Sequence, residues 1–118
     1  MLADALQTLL QRLDNAARMA GRPAPALLAV SKRQAATAVA ELHAAGQHAF
    51  GENYVQEARA KQAELAGLPL EWHLIGHLQS NKAREAAVLF DWVQTVDRSS
   101  LVAPLARHRP PERVPLNV

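Results

Sequence analysis

The sequence predicts an α/β fold in which parallel strands alternate with helices. Short apolar runs recur along the chain, segments with helical spacing follow them, and glycine or proline separates the two kinds of segment. Strands separated by helices of roughly 10 to 15 residues pair in parallel through right-handed crossovers. The predicted order is an N-terminal helix, four strand–helix units and the start of another strand, within a single domain over residues 1–118.

The first elements are predicted by their apolar spacing. Leucines at helical intervals place one apolar stripe on a helix over residues 2–20, and a glycine and a proline follow as a stop. An unbroken apolar run at residues 26–30 predicts a strand buried on both faces, as in parallel sheets. A helix over residues 35–45 and a short strand at residues 48–50 come next.

The rest of the chain repeats this pattern. Asn53 with Gln56 three residues later predicts a capping box, which would begin a helix that runs to residue 66. The remaining predicted elements are a strand at 70–75, a helix at 81–90 capped by Ser80, a strand at 92–96, a helix from Asp97 or Ser99 to about residue 107, and a strand that begins at residue 115.

Two architectures fit this order, an open doubly wound sheet or part of a (β/α)₈ barrel. No glycine-rich dinucleotide fingerprint follows the first strand, which weakens the first option. A full barrel needs about 200 residues or more, and four strands alone would leave two sheet edges unpaired. We therefore expect an incomplete barrel, with exposed edges that favour self-association.

Composition excludes several classes of protein. With 49% hydrophobic and 20% charged residues the chain has enough apolar material for a core, and without cysteine it has neither disulfides nor thiolate metal ligands. Its apolar runs are far shorter than the roughly 20 residues of a membrane span. A basic cluster at Arg107, Arg109 and Arg113 is broken by prolines and has no aromatic neighbours. We predict a cytoplasmic protein that binds neither membranes nor nucleic acid.

Candidate functional residues follow the strands, because chemistry in such folds collects at the strands' carboxyl ends. Lys32 follows the first strand, where desolvation favours a neutral amine that can form a Schiff base; a phosphate contact or a surface lysine are the alternatives. Asn53 follows the second strand and is either a helix cap or a ligand contact. His77 follows the third strand and can reach the barrel mouth, whereas His73 is expected to be a hydrogen-bonded interior residue. No carboxylate cluster accompanies the histidines, so no metal site is predicted.

Four segments resemble the pyridoxal phosphate homeostasis proteins in content, order and spacing. They are residues 28–32 (LAVSK), 50–57 (FGENYVQE), 72–82 (WHLIGHLQSNK) and 96–98 (VDR). The resemblance implies a TIM-type barrel similar to the N-terminal domain of alanine racemase, of which this chain holds about half, the N-terminal helix plus four β/α units. It also implies that Lys32 carries pyridoxal 5′-phosphate as a Schiff base and that Asn53 lies near the cofactor ring. With His77, these are the predicted cofactor-binding residues.

The resemblance implies a carrier that acts in vitamin B6 homeostasis and not an enzyme. A racemase needs a second acid/base group on the opposite face of the cofactor, and the sequence offers no visible candidate. A racemase-like enzyme of fold type III and a half-barrel interaction module without cofactor remain the alternatives. The sequence departs from the family at residues 33–36, where a proline-containing loop is usual, and at Gln94 and Thr95. In the family the phosphate is held by late loops that these residues do not include.

Overall fold

A computed structural model describes residues 1–118 and shows helices packed on a four-stranded parallel sheet. The chain begins with α1 (Leu2–Ala20). The elements that follow are β1 (Ala29–Val30), α2 (Ala36–Ala44), β2 (Ala49–Glu52), α3 (Val55–Glu64), β3 (Glu71–Leu74), α4 (Ala83–Leu89), β4 (Trp92–Val93) and α5 (Val102–His108). Short 3₁₀ turns, Ser80–Lys82 and Ser99–Leu101, lead into α4 and α5. The predicted α/β fold class is confirmed.

Strand order decides between the two predicted architectures. The sheet order is β1-β2-β3-β4, the same as the order along the chain, and every pair is parallel. A doubly wound sheet reverses its order at a switch point, whereas a (β/α)₈ barrel adds each strand on the same side of the previous one. The sheet therefore has the topology of about half a barrel, as predicted.

The two ends of the sheet are shorter than the sequence predicted. β1 is an edge strand with one partner, and only Ala29 and Val30 pair with β2. The strand expected from residue 115 is reduced to a single parallel bridge between Trp92 and Asn117. Asn117 lies on the far side of β4, and its carbonyl accepts a hydrogen bond of 2.9 Å from the Val93 N–H. The segment thus occupies the position of a fifth strand without forming a ladder.

The predicted caps are wrong at three helix starts. α3 is preceded by Tyr54 in an extended conformation, and no side chain caps it. The helices α4 and α5 begin through 3₁₀ turns after Gln79 and Arg98, again without a side-chain cap. Such turns satisfy part of the free N–H groups of a helix start with tighter backbone bonds, which replaces the capping that Ser80 and Ser99 were expected to provide.

Strand side chains alternate between a covered and an open face of the sheet. The covered face packs on the helices and supplies the centre of the core: Phe50, Trp72, Leu74 and Val93, each at most 6% exposed. The open face carries Val30, which is 52% exposed. None of the five α-helices combines the length and the apolar character that crossing a bilayer requires.

Candidate functional site

Lys32 lies in the turn that follows β1. The preceding residue, Ser31, is only 4% exposed, and its N–H continues the ladder with a 2.9 Å hydrogen bond to the Gly51 carbonyl. The Ser31 hydroxyl points to the covered face, where it donates to Glu52. Alternation therefore assigns Val30 to the open face, and Lys32 follows in the turn beyond the strand. Lys32 is exposed, so the predicted desolvation of its amine is wrong; β1 is the edge of this sheet, and no further strand shields it.

The turn is held in an unusual conformation at Arg33. Arg33 has a φ of 63°, in the left-handed region, which costs a residue with a side chain on the order of 1 kcal/mol. Its N–H donates to Glu57 Oε2 at 2.5 Å, and the Gln34 N–H donates to the Ser31 carbonyl at 3.0 Å. These contacts stabilise the turn that carries Lys32.

A buried charge cluster lies directly beneath this turn. Lys61 Nζ is 2.8 Å from Glu52 Oε2, 2.9 Å from Glu57 Oε2 and 2.5 Å from the Ser31 carbonyl oxygen. Glu52 is fully buried and Lys61 is 5% exposed. The second carboxylate oxygen of Glu52, Oε1, has no hydrogen-bond partner. A charge removed from water needs such pairing, so the cluster depends on all of its members.

Sequence reasoning missed this cluster, although two signals pointed to it. Glu57 and Lys61 have the spacing of an ion pair on one helix face. Glu52 comes two residues after Phe50, and strand alternation places the two side chains on the same covered face. A carboxylate on a covered strand face requires a buried cation, and Lys61 provides it.

The cluster predicts a specific loss of stability in acid. Burial raises the pKa of Glu57, but hydrogen bonds from Lys61 and the Arg33 backbone, with the charge of Lys61, lower it by more, so the pKa of Glu57 lies below its ordinary value. Glu57 therefore contributes stability that is complete above its ordinary pKa and is lost as the pH falls through that value to the lower folded one. Urea unfolding between about pH 6 and about pH 3 should show this decline, and Glu57→Gln should flatten it. Equal pH dependence in both proteins would contradict the prediction.

Asn53 and His77 line a common cavity of about 390 Å³ between the starts of α3 and α4. This volume falls within the range of small-molecule pockets, about 300–1,000 Å³. Asn53 is half-buried and caps no helix, while His77 is exposed with Nδ1 at 3.9 Å from Asp97 Oδ2. Lys32 does not line this cavity; it follows the neighbouring strand, and paired strands lie about 4.8 Å apart.

Gly76 lies after β3, where its backbone approaches the backbone of Asn53 after β2 closely. A Cβ at this position would lie 2.4 Å from the Asn53 carbonyl oxygen and 2.9 Å from the Asn53 Cα, closer than atoms can approach. On its other side, the Gly76 carbonyl accepts a 2.6 Å hydrogen bond from the Thr95 hydroxyl, just beyond β4. The absence of a side chain at Gly76 therefore sets the position of Asn53.

His73 is a hydrogen-bonded interior residue, as predicted. It is 7% exposed, its Nε2 lies 2.6 Å from Glu71 Oε1, and its Nδ1 lies 2.8 Å from Gln94 Nε2. Its ring stacks on Trp92 with 5.4 Å between centroids. These contacts account for both ring nitrogens.

The basic cluster near the C-terminus is largely occupied by contacts within the chain. Arg109 donates to the carbonyls of Ala87 at 2.9 Å and Phe90 at 2.6 Å. Arg113 forms an ion pair of 3.0 Å with Asp91. Two of the three arginines thus fasten the segment after α5 to the end of α4.

The fold and the strand-end residues define a class, the first half of a TIM-type barrel with a lysine directly after its first strand. Comparisons with known proteins specify this class further. Over 119 aligned residues the chain is 53% identical to the pyridoxal phosphate homeostasis protein of Pseudomonas aeruginosa, covering 99% of this chain and 52% of that protein. It is 54% identical over 95 residues to the protein of the same name in Escherichia coli K12, covering 78% of this chain and 41% of the relative.

Solved structures give the same result. PipY of Synechococcus elongatus without pyridoxal phosphate has a TM-score of 0.80 at 49% identity, and covers 92% of this chain with 47% of its own. The structure of PipY with pyridoxal phosphate bound has a TM-score of 0.76 at 48% identity and similar coverage. No protein-family model matches the chain.

The resemblance to the pyridoxal phosphate homeostasis protein family is therefore confirmed, and the chain matches the N-terminal part of those proteins. It spans about half the length of the curated relatives it matches, from 52% down to 40% of their residues.

Proposed function

We propose that this chain is part of a pyridoxal phosphate binding protein of intracellular vitamin B6 homeostasis, with Lys32 as the residue that binds the cofactor. The observation that carries the proposal is the exposed primary amine of Lys32 directly after the carboxyl end of β1. The chain that carries it is 48% identical to a protein whose structure contains pyridoxal phosphate. The proposal treats residues 1–118 as one incomplete barrel domain that acts in the cytoplasm.

The residues present fit the aldehyde end of the cofactor. Pyridoxal phosphate supplies an aldehyde whose carbon condenses with a primary amine to a C=N bond with loss of one water. The Lys32 amine is exposed, and the ion pairs beneath its turn are made by Lys61 and leave it free. The side chain of Asn53 does not cap α3, so its amide is available to a polar substituent of the cofactor ring.

His77 is the third proposed contact. It lies on the rim of the cavity that Asn53 also lines, and it is exposed enough for its ring to face a bound molecule. Its Nδ1 lies 3.9 Å from Asp97 Oδ2, which is too far for a hydrogen bond. By family resemblance, we place the residues that bind the phosphate in later parts of the barrel, where such folds usually have their phosphate site.

We propose a carrier and not a catalyst. Racemisation requires an acid/base group on each face of the bound amino acid, and His77, the other such group among the proposed contacts, lines a cavity that Lys32 does not line. The relatives are named as homeostasis proteins, which agrees with this interpretation. Exchange of the α-hydrogen of a labelled amino acid faster than with free cofactor would favour a racemase-like enzyme instead.

A half-barrel interaction module without cofactor is the second candidate. It is supported by the exposed edge strand β1, whose Val30 is 52% exposed. Sedimentation of a folded monomer would count against this function, whereas a dimer without affinity for pyridoxal phosphate would favour it.

Borohydride trapping tests the cofactor-binding proposal directly. After incubation with pyridoxal phosphate and reduction, peptide mapping should find the label on Lys32 in excess over Lys61 and Lys82 by about tenfold or more, as expected for a preorganised amine. Lys32→Ala should remove this label, and Lys82→Ala, which replaces the lysine that lines the cavity with Asn53 and His77, should retain it. Labelling shared evenly among the lysines would contradict the proposal.

A further inference from the structure

The two peptide groups on either side of Lys32 are both held from α3. The carbonyl of the peptide between Ser31 and Lys32 accepts a 2.5 Å hydrogen bond from Lys61 Nζ. The N–H of the peptide between Lys32 and Arg33 donates to Glu57 Oε2, also at 2.5 Å. The Cα of Lys32 is therefore fixed between two charged side chains of one helix.

Those two side chains also hold each other. Lys61 Nζ lies 2.9 Å from Glu57 Oε2, the atom that accepts the Arg33 N–H, and the two residues are four apart on α3. Fully buried Glu52 anchors Lys61 from below at 2.8 Å. Hydrogen bonds to charged groups are stronger than those between neutral groups, and more so in low-dielectric surroundings. The bonds that Lys61 makes to Ser31 and Glu52 are buried, whereas the bond from Arg33 to Glu57 lies at the surface.

The arrangement exceeds what closing a turn requires. A turn after a strand needs only backbone contacts, which the Gln34 N–H and the Ser31 carbonyl already provide at 3.0 Å. The left-handed conformation of Arg33 is less favourable for a residue with a side chain, yet the contact of its N–H with Glu57 maintains it. The residue so constrained, Lys32, makes none of these contacts with its own side chain.

We propose that Glu57 and Lys61 are positioning residues for Lys32, since their ion pair clamps both adjoining peptide groups and holds the amine at the aldehyde-binding position. The inference rests on the proposed function and adds residues of α3 to it. The clamp fixes the backbone from which the amine extends before the ligand arrives, so the C=N bond forms without first ordering the turn.

Three variants of the full 118-residue chain test the clamp. Glu57→Ala removes the acceptor, Glu57→Gln retains an acceptor oxygen without the charge, and Glu64→Ala removes an exposed carboxylate from the last turn of the same helix as a control. One readout needs no ligand, the hydrogen exchange rate of the Arg33 amide. The other is the ratio of borohydride-trapped pyridoxal phosphate on Lys32 to that on the exposed α-amino group of Met1, which serves as an internal reference.

We expect Glu57→Ala to accelerate Arg33 exchange and to lower the ratio of label on Lys32 to label on the Met1 α-amino group, each by about fivefold to tenfold, as for the loss of one charge-assisted hydrogen bond. Glu57→Gln should restore most of both values, and Glu64→Ala should match the wild type. A merely structural role would raise exchange throughout the chain and leave the labelling ratio unchanged.

An unchanged labelling ratio in a folded Glu57→Ala protein would overturn the inference, whether or not Arg33 exchange accelerates. Absence of selective Lys32 labelling in the wild type would instead show that the proposed function fails. In that case the role of Glu57 and Lys61 in positioning Lys32 is overturned as well. Arg33 exchange would then show only whether the two side chains stabilise the turn.

Discussion

Lys61→Met is expected to lower the free energy of unfolding by about 3–5 kcal/mol, the largest effect among the substitutions considered. The side chain of Glu52 is 0% exposed, and Lys61 is the cation that pairs with it, at 2.8 Å. Methionine fills much of the lysine volume but leaves a buried carboxylate whose Oε1 already lacks a partner. Urea unfolding at neutral pH measures the change.

Two further variants separate the buried pair from lysine replacement in general. Lys82→Met removes a more exposed lysine that lies 3.6 Å from Glu85, and should cost less than about 1 kcal/mol. The double variant Glu52→Leu/Lys61→Met should recover most of the stability, since an apolar pair replaces an ion pair. A loss below about 1 kcal/mol in Lys61→Met would show that Glu52 tolerates burial without its cation.

Gly76→Ala is expected to destabilise the protein by about 3 kcal/mol and to displace the Asn53 backbone. The added methyl would lie 2.4 Å from the Asn53 carbonyl oxygen, and its three nearest neighbours are all backbone atoms of Asn53. The carbonyl of Gly76 is also held by Thr95 at 2.6 Å, so moving Gly76 strains a second contact. Unfolding measurements and the amide shifts of Asn53 report the two effects.

Gly51→Ala is the matched comparison within the same sheet. Its Cβ would meet the end of the Ile75 side chain at 3.1 Å, and a flexible side chain can withdraw where backbone cannot. We expect a cost below about 1 kcal/mol for Gly51→Ala. If the two alanine variants are equally stable, the close approach of Gly76 to Asn53 does not constrain the site.

Much of the fold could be predicted because its signals are local. Apolar runs separated by helical segments imply parallel strands, and the ends of those strands carry Lys32, Asn53 and His77. The helix caps could not be predicted in the same way. Asn53 has the right residue type for a cap, but packing against Gly76 determines its backbone position, and α3 begins at Val55 without a cap.

The candidate site shows the same division. Its strand-end residues follow from position in the sequence, whereas the clamp on Lys32 joins residues 31–33 to Glu57 and Lys61. No periodicity connects a strand-end turn to a helix more than twenty residues later along the chain. Only the packing of α3 against β2 brings these side chains within hydrogen-bonding distance of the turn after β1.

By itself the sequence determined the class of fold, the strand-end location of the candidate residues and the resemblance to a family that handles pyridoxal phosphate. The tertiary structure alone decided that Lys32 is exposed, that Asn53 and His77 share a cavity, and that Glu52 is buried against Lys61. The physical reason is that periodicity and motifs reflect the local chain. Burial and charge pairing depend on which distant segments exclude water from one another.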